Sequence, residues 1–181
     1  MNATHTLNAD ELFHLAMAAT QRGQAEQAIV QLKRCLELAP DHARARYVLG
    51  GQYAEIGMLD QAIDLMRGAL ALAPELDTAR FQLGLLQLTC GRLDEARHEW
   101  SLLSHLPDTH YLSLFVQGLQ CVADNRLEQG ASALRLGMQA NTVNQPLNVD
   151  MASVMANVER ALEAHGAQSA AAPLSAYGEL H

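Results

Sequence analysis

Residues 45–51 read ARYVLGG and residues 79–85 read ARFQLGL, two heptads with Ala-Arg, an aromatic, one more residue and Leu-Gly, set 34 residues apart. The same interval governs the turns. Gly23, Gly57 and Gly91 are followed after another 34 residues by Asn125, opening the hexads GQAEQA, GMLDQA, GRLDEA and NRLEQG. Three positions into each hexad, counting from the turn residue, comes an acidic residue: Glu26, Asp60, Asp94, Glu128. Two positions later stands a small one: Ala28, Ala62, Ala96, Gly130. Pro40 and Pro74 keep the interval too, each closing a Leu-Ala-Pro triplet. The chain is a four-fold repeat, and a fixed period of this length signals stacked supersecondary units.

One unit can be read physically. An apolar-periodic helix runs to the glycine, which takes the left-handed backbone conformation that ends a helix. The acidic residue then opens a second helix, where negative charge opposes the N-terminal dipole. Small residues let the paired helices approach, and Pro40 or Pro74 stops the second helix. A single hairpin of this kind cannot bury its apolar face, so the hairpins must stack.

These residues resemble the tetratricopeptide repeat family. The family pattern is met by Leu49, Gly50, Tyr53, Gly57, Ala62, Met66 and Pro74, and again by Leu83, Gly84, Gly91, Ala96 and Trp100. A looser first unit has Leu15, Ala16, Gly23, Ala28, Leu32 and Pro40; the fourth keeps Gly118 and Leu134 but has Asn125 and Gly130 at the small-residue positions. The family's first-helix tryptophan is replaced by Leu12, Arg46, Arg80 and Leu114, and Pro107 arrives one residue early. The resemblance implies an all-α, right-handed solenoid of four helical hairpins, at about 9–42, 43–76, 77–108 and 109–141, after a lead at 1–8. Beyond the repeats, Leu147, Met151, Val154, Met155, Val158 and Leu162 form one helical stripe opposite Asp150, Asn157 and Glu163. This predicts a capping helix at 147–165 and a flexible tail at 166–181.

Totals narrow the function classes. Of 181 residues 49% are hydrophobic and 18% charged, as in a folding chain. With a net charge of −8 and no cluster of basic residues, a nucleic-acid surface is not expected. No secretory leader and no long apolar run is seen, so a cytoplasmic protein without membrane insertion is expected. Cys35, Cys90 and Cys121 lack CxxC spacing and read as reduced packing thiols. His98, His105 and His110 lack a companion carboxylate at ligand spacing, and no HExxH, GxSxG or phosphate loop occurs. No metal, cofactor or catalytic role is expected.

The resemblance implies a superhelix whose concave face is lined by the first helices. Its fifth positions are Phe13, Tyr47, Phe81 and Phe115, which at 4% aromatic content is no accident. The ninth positions include Met17, Leu85 and Leu119, and the twelfth include Leu88 and Val122. These nine side chains are the expected peptide-binding groove, with Phe81, Leu85, Leu88, Phe115, Leu119 and Val122 as one exposed apolar patch. Arg44, Arg46 and Arg80 are its polar rim, the last two with the guanidinium in water and the stem on apolar neighbours. Family members that hold chaperone carboxylates use Lys, Asn and Arg where this chain has Phe13, Met17, Val48, Thr78 and Gln82, so that role is not expected.

The expected function is a non-catalytic protein-interaction adaptor that takes an extended or helical apolar segment of a partner. One alternative is a chaperone for hydrophobic client segments; the apolar groove resembles that of type III secretion translocator chaperones, although their third-repeat sequence is absent. The other is a self-associating, homodimeric assembly subunit whose groove is filled by its own terminus, through Leu174, Tyr177 and Leu180.

Overall fold

A computed structural model describes residues 7–170 of the chain. Among the described residues every regular element is a helix. In chain order they are α1 (Ala9–Gln21), α2 (Ala25–Leu38), α3 (Ala43–Glu55), α4 (Leu59–Leu72), α5 (Asp77–Thr89), α6 (Leu93–Ser101), α7 (Tyr111–Ala123), α8 (Leu127–Ala140) and α9 (Gln145–Ala170). They divide into two compact bodies, the first ending at Leu103 and the second beginning at Ser104.

The turns explain the pairing of helices. Gly23, Gly57, Gly91 and Asn125 have φ of 67°, 80°, 74° and 59°. Each sits just past the end of a first helix and closes the same two-bond motif. At the third turn, Gly91 N–H donates to Leu88 O at 2.9 Å and Arg92 N–H to Gln87 O at 2.8 Å. These bonds satisfy carbonyls that the helix end would otherwise orphan. Asparagine replaces glycine in the fourth turn because its short side chain tolerates the left-handed region.

Within the first body three hairpins stack, and the core lies between one hairpin and the first helix of the next. Leu12, Phe13, Ala16, Leu32 and Cys35 of α1 and α2 share a buried cluster with Ala45 and Leu49 of α3. Ala62, Ile63, Met66 and Leu70 of α4 do the same with Ala79, Leu83 and Leu86 of α5. The repeat leucine is therefore the residue that packs on the preceding hairpin. Leu15, at that position in α1, has no hairpin before it among the described residues and is 44% exposed.

The third hairpin departs from the repeat. α6 has 9 residues where α2, α4 and α8 have 14. The Ser101 hydroxyl donates to His98 O at 2.7 Å, the carbonyl that the Leu102 N–H would use in a continuing helix. Leu102 N–H turns instead to Glu99 O at 3.2 Å, and the helix tightens and ends.

In the second body α7 and α8 pair, and α9 lies on α8. Leu147, Met151, Met155 and Val158 are buried on its inner face. The helix starts two residues before the expected position and runs five residues past it. Asn144 sets the start, since its side-chain oxygen accepts the Leu147 N–H at 3.3 Å in a cap, with Pro146 in the first turn where no donor is required. Buried Asn141 fastens the same corner: its amide donates to Asn144 O at 2.7 Å and Asn148 Oδ1 at 2.8 Å. Residues 171–181, including Leu174, Tyr177 and Leu180, lie outside the described residues.

Candidate functional site

The aromatic residues at the fifth repeat positions meet different fates. Phe81 is fully buried, its ring stacked 6.2 Å from that of Trp100. The Trp100 indole N–H donates to Phe81 O at 3.1 Å, so the tryptophan is held by its polar edge as well as its faces. Gly84 makes room for it: a Cβ there would stand 2.7 Å from indole Cδ1 and closer still to Nε1. In the second body Phe115 is also fully buried, in a notch left by Gly137, and Leu119 is buried beside it. Phe13 is 6% exposed, with its ring 4.8 Å from the His42 imidazole and the Arg44 guanidinium 5.4 Å from its centroid.

The expected groove is therefore corrected at Phe13, Phe81, Phe115 and Leu119, which are core residues. The fifth position faces the second helix of its own hairpin, where Trp100 covers Phe81 and the notch at Gly137 admits Phe115. Tyr47 is the exception, half-buried with its hydroxyl donating to Gln82 Oε1 at 2.6 Å. That bond ties α3 to α5 on the face their side chains share.

On this face of the first body Met17, Val48, Gln82, Leu85 and Leu88 are all half-buried. Gly51 occupies the ninth position of α3, between Met17 of α1 and Leu85 of α5 in repeat register. A Cβ built on Gly51 would meet nothing within 4 Å. Its neighbour Gly50 is different, since a Cβ there would lie 3.0 Å from Met66 Cγ. Gly50 is thus required by packing and Gly51 is not. A glycine inside a helix costs about 0.5–1 kcal/mol relative to alanine. The space above Gly51 is open, and core packing does not require a glycine there. In the second body Val122 is half-buried on α7.

The arginine rim is corrected at two of its three members. Arg46 donates to Pro40 O through Nε at 3.0 Å and Nη2 at 2.8 Å, while Arg80 donates to Pro74 O at 3.1 Å and pairs with Glu99 at 3.0 Å. Both guanidinium groups reach back six residues to the carbonyl of the proline that stops the preceding helix. They brace the turn between hairpins and do not hang in water beside a ligand. Arg44 remains exposed. The spacing from Arg46 to Pro40 and from Arg80 to Pro74 is visible in the sequence, and it is the signal that could have found these braces.

Among the described residues no group of three or more His, Cys, Asp or Glu side chains is placed to hold a metal ion. Cys35 and Cys121 are buried and Cys90 half-buried. Burial, and then the Asp10 charge, push the Cys35 thiol above its ordinary range, which keeps it in the unreactive protonated form. No helix among the described residues is long and apolar enough to cross a membrane.

The family model described as Tetratricopeptide repeat matches residues 19–66. Among curated proteins none matches the chain. The solved structure of MamA 41-end from Desulfovibrio magneticus RS-1 is similar at a TM-score of 0.62 and 17% identity, over 89% of this chain and 89% of that one. YrrB, described as a TPR protein with an unusual peptide-binding site, is similar at 0.60 and 18%, over 86% and 78%. PilW, described as a widely conserved type IV pilus biogenesis factor, is similar at 0.62 and 19%, over 73% and 61%. At these identities the likeness carries the fold. Residues 19–66 thus match the tetratricopeptide repeat family, and the same glycine-closed turn recurs beyond them at Gly91 in a chain that shares the fold of solved tetratricopeptide repeat structures.

Proposed function

We propose that the chain is a protein-interaction adaptor, and that the face shared by α1, α3 and α5 takes an apolar segment of a partner protein. The observation that carries this reading is the open space above Gly51 within the half-buried strip of Met17, Tyr47, Leu85 and Leu88. A peptide side chain or backbone can enter there without moving the core. Burying one aliphatic side chain contributes about 1.5–3 kcal/mol. A few such anchors are enough for micromolar binding once ordering costs are met. Arg44, exposed at the start of α3, gives the strip one cationic end for an acidic group on the ligand. The peptide-binding site ascribed to YrrB supports the class of function and says nothing of the ligand here.

Transient chaperoning of a hydrophobic client would use the same strip, and it differs in partner and not in surface. Gly51→Leu tests the reading directly, because it fills that space while improving helix propensity. The probe is a membrane-bound array of synthetic apolar and amphipathic peptides, read for retention of the full chain. Expected are a melting temperature unchanged or raised and a loss of retained spots relative to the unaltered chain. Equal retention by the two proteins would overturn the proposal.

A further inference from the structure

Tyr47 of α3 and Gln82 of α5 meet on the half-buried strip, where the phenol hydroxyl donates to Gln82 Oε1 at 2.6 Å. An amide is planar, so holding its oxygen also sets its nitrogen, which carries two hydrogens and can only donate. The two buried glutamines of α3 and α5 spend that nitrogen within the chain. Gln52 gives Nε2 to Glu55 Oε2 at 3.2 Å, and Gln87 gives its own to Glu95 Oε2 at 3.4 Å. Gln82 is different: it is half-buried, and its Nε2 has no acceptor among the described residues.

From this we infer that Gln82 sets how a partner lies on this face: its Nε2 donates to a main-chain carbonyl of a segment bound in extended form. The inference rests on the proposed binding face and names the conformation of what that face takes. A helix pairs its carbonyls internally and offers none along its length. An extended segment leaves a carbonyl unpaired at every residue, with side chains alternating between its two faces.

The neighbours of Gln82 fit such a segment. Gly51 lies one turn along α3 from Tyr47, so the open space above it and the amide are adjacent. One extended segment can place a side chain over Gly51 while its carbonyl meets Gln82. Leu85 follows Gln82 after three residues on α5 and is half-buried, giving the next side chain an apolar contact. A ligand that covered the amide without an acceptor would leave its N–H groups stripped of water and unpaired, which is costly. The strip therefore favours extended segments over helices of the same composition. Tyr47 acts here as a positioning residue, through the oxygen it holds.

The experiment takes peptides retained by the full chain on the synthetic array and titrates them, free and labelled, by fluorescence anisotropy. Each is used in linear form and with a hydrocarbon staple that fixes it as a helix. The variants are Gln82→Leu and Gly51→Leu. Gln82→Leu makes the strip more apolar at similar helix propensity, so the melting temperature should hold and purely apolar docking would tighten. The inference predicts the opposite, linear peptides bound about tenfold more weakly by Gln82→Leu, and stapled forms bound more weakly than linear ones by the unaltered chain. Equal or tighter binding by Gln82→Leu would overturn it, as would equal binding of stapled and linear peptides. If Gly51→Leu loses the peptides and Gln82→Leu keeps them, the face stands and the main-chain contact falls. If Gly51→Leu keeps them too, or the unaltered chain retains none, the face falls and the inference with it.

Discussion

The second and third hairpins share a sequence pattern and differ in what the first helix offers to the second. In α3 and α4 Gly50 faces Met66, and Tyr47 stays half-buried with its hydroxyl on Gln82. In α5 and α6 Gly84 faces Trp100, and Phe81 is drawn fully into the core. The repeat position is the same; in the third hairpin an indole covers the ring, while in the second the Tyr47 hydroxyl keeps its bond to Gln82 on the half-buried face. A thioether is flexible and fills its gap loosely. An indole with a buried N–H fixes both its own place and that of the ring it covers.

That contrast can be broken most strongly at its larger member. Trp100→Ala should destabilise the first body by about 3–5 kcal/mol, because it opens a large cavity and frees Phe81. Chemical denaturation checks this, and a loss below about 1 kcal/mol would show that the indole does not hold the hairpin. Gly84→Ala comes next, at about 1–3 kcal/mol, since its Cβ would collide with a ring that cannot yield. Gly50→Ala should be the mildest, about 1 kcal/mol, because Met66 can turn aside and alanine favours the helix, while the Ala62 carbonyl 3.2 Å from the new Cβ keeps a packing cost. If Gly50→Ala proved as costly as Gly84→Ala, the distinction between the two hairpins would fail.

Much of the fold is written in residues that no other type replaces easily. A left-handed turn residue at 23, 57, 91 and 125 admits glycine or asparagine, so the hairpin boundaries are legible from spacing alone. The small-against-large pairs Gly50 with Met66 and Gly84 with Trp100 are legible for the same reason. The features that escape a reading of the sequence each depend on a specific bond. α6 ends where Ser101 bonds the His98 carbonyl and Leu102 N–H turns to Glu99 O, which no propensity announces. Asn141, Asn144 and Asn148 look like a polar loop and are a fastened corner. Arg46 and Arg80 look like rim charges and are braces on proline carbonyls.

The candidate site shows the same limit more sharply. Periodicity assigns Phe13, Tyr47, Phe81 and Phe115 to one repeat position correctly. It cannot say which side of the helix surface the ring reaches, because that depends on the residue packed against it. Burial takes Phe13, Phe81, Phe115 and Leu119 out of the candidate site and leaves Met17, Tyr47, Leu85 and Leu88 around Gly51 as the proposed one.

If core and binding face are separate sets of residues within α5, two of its side chains should respond in opposite ways. The decisive measurement compares Phe81→Ala with Leu85→Glu in the full chain, scoring melting temperature and retention on the peptide array for each. Phe81→Ala is expected to lower the melting temperature and leave retention intact below it, while Leu85→Glu abolishes retention at an unchanged melting temperature. Loss of retention in Phe81→Ala without any loss of stability would contradict that separation.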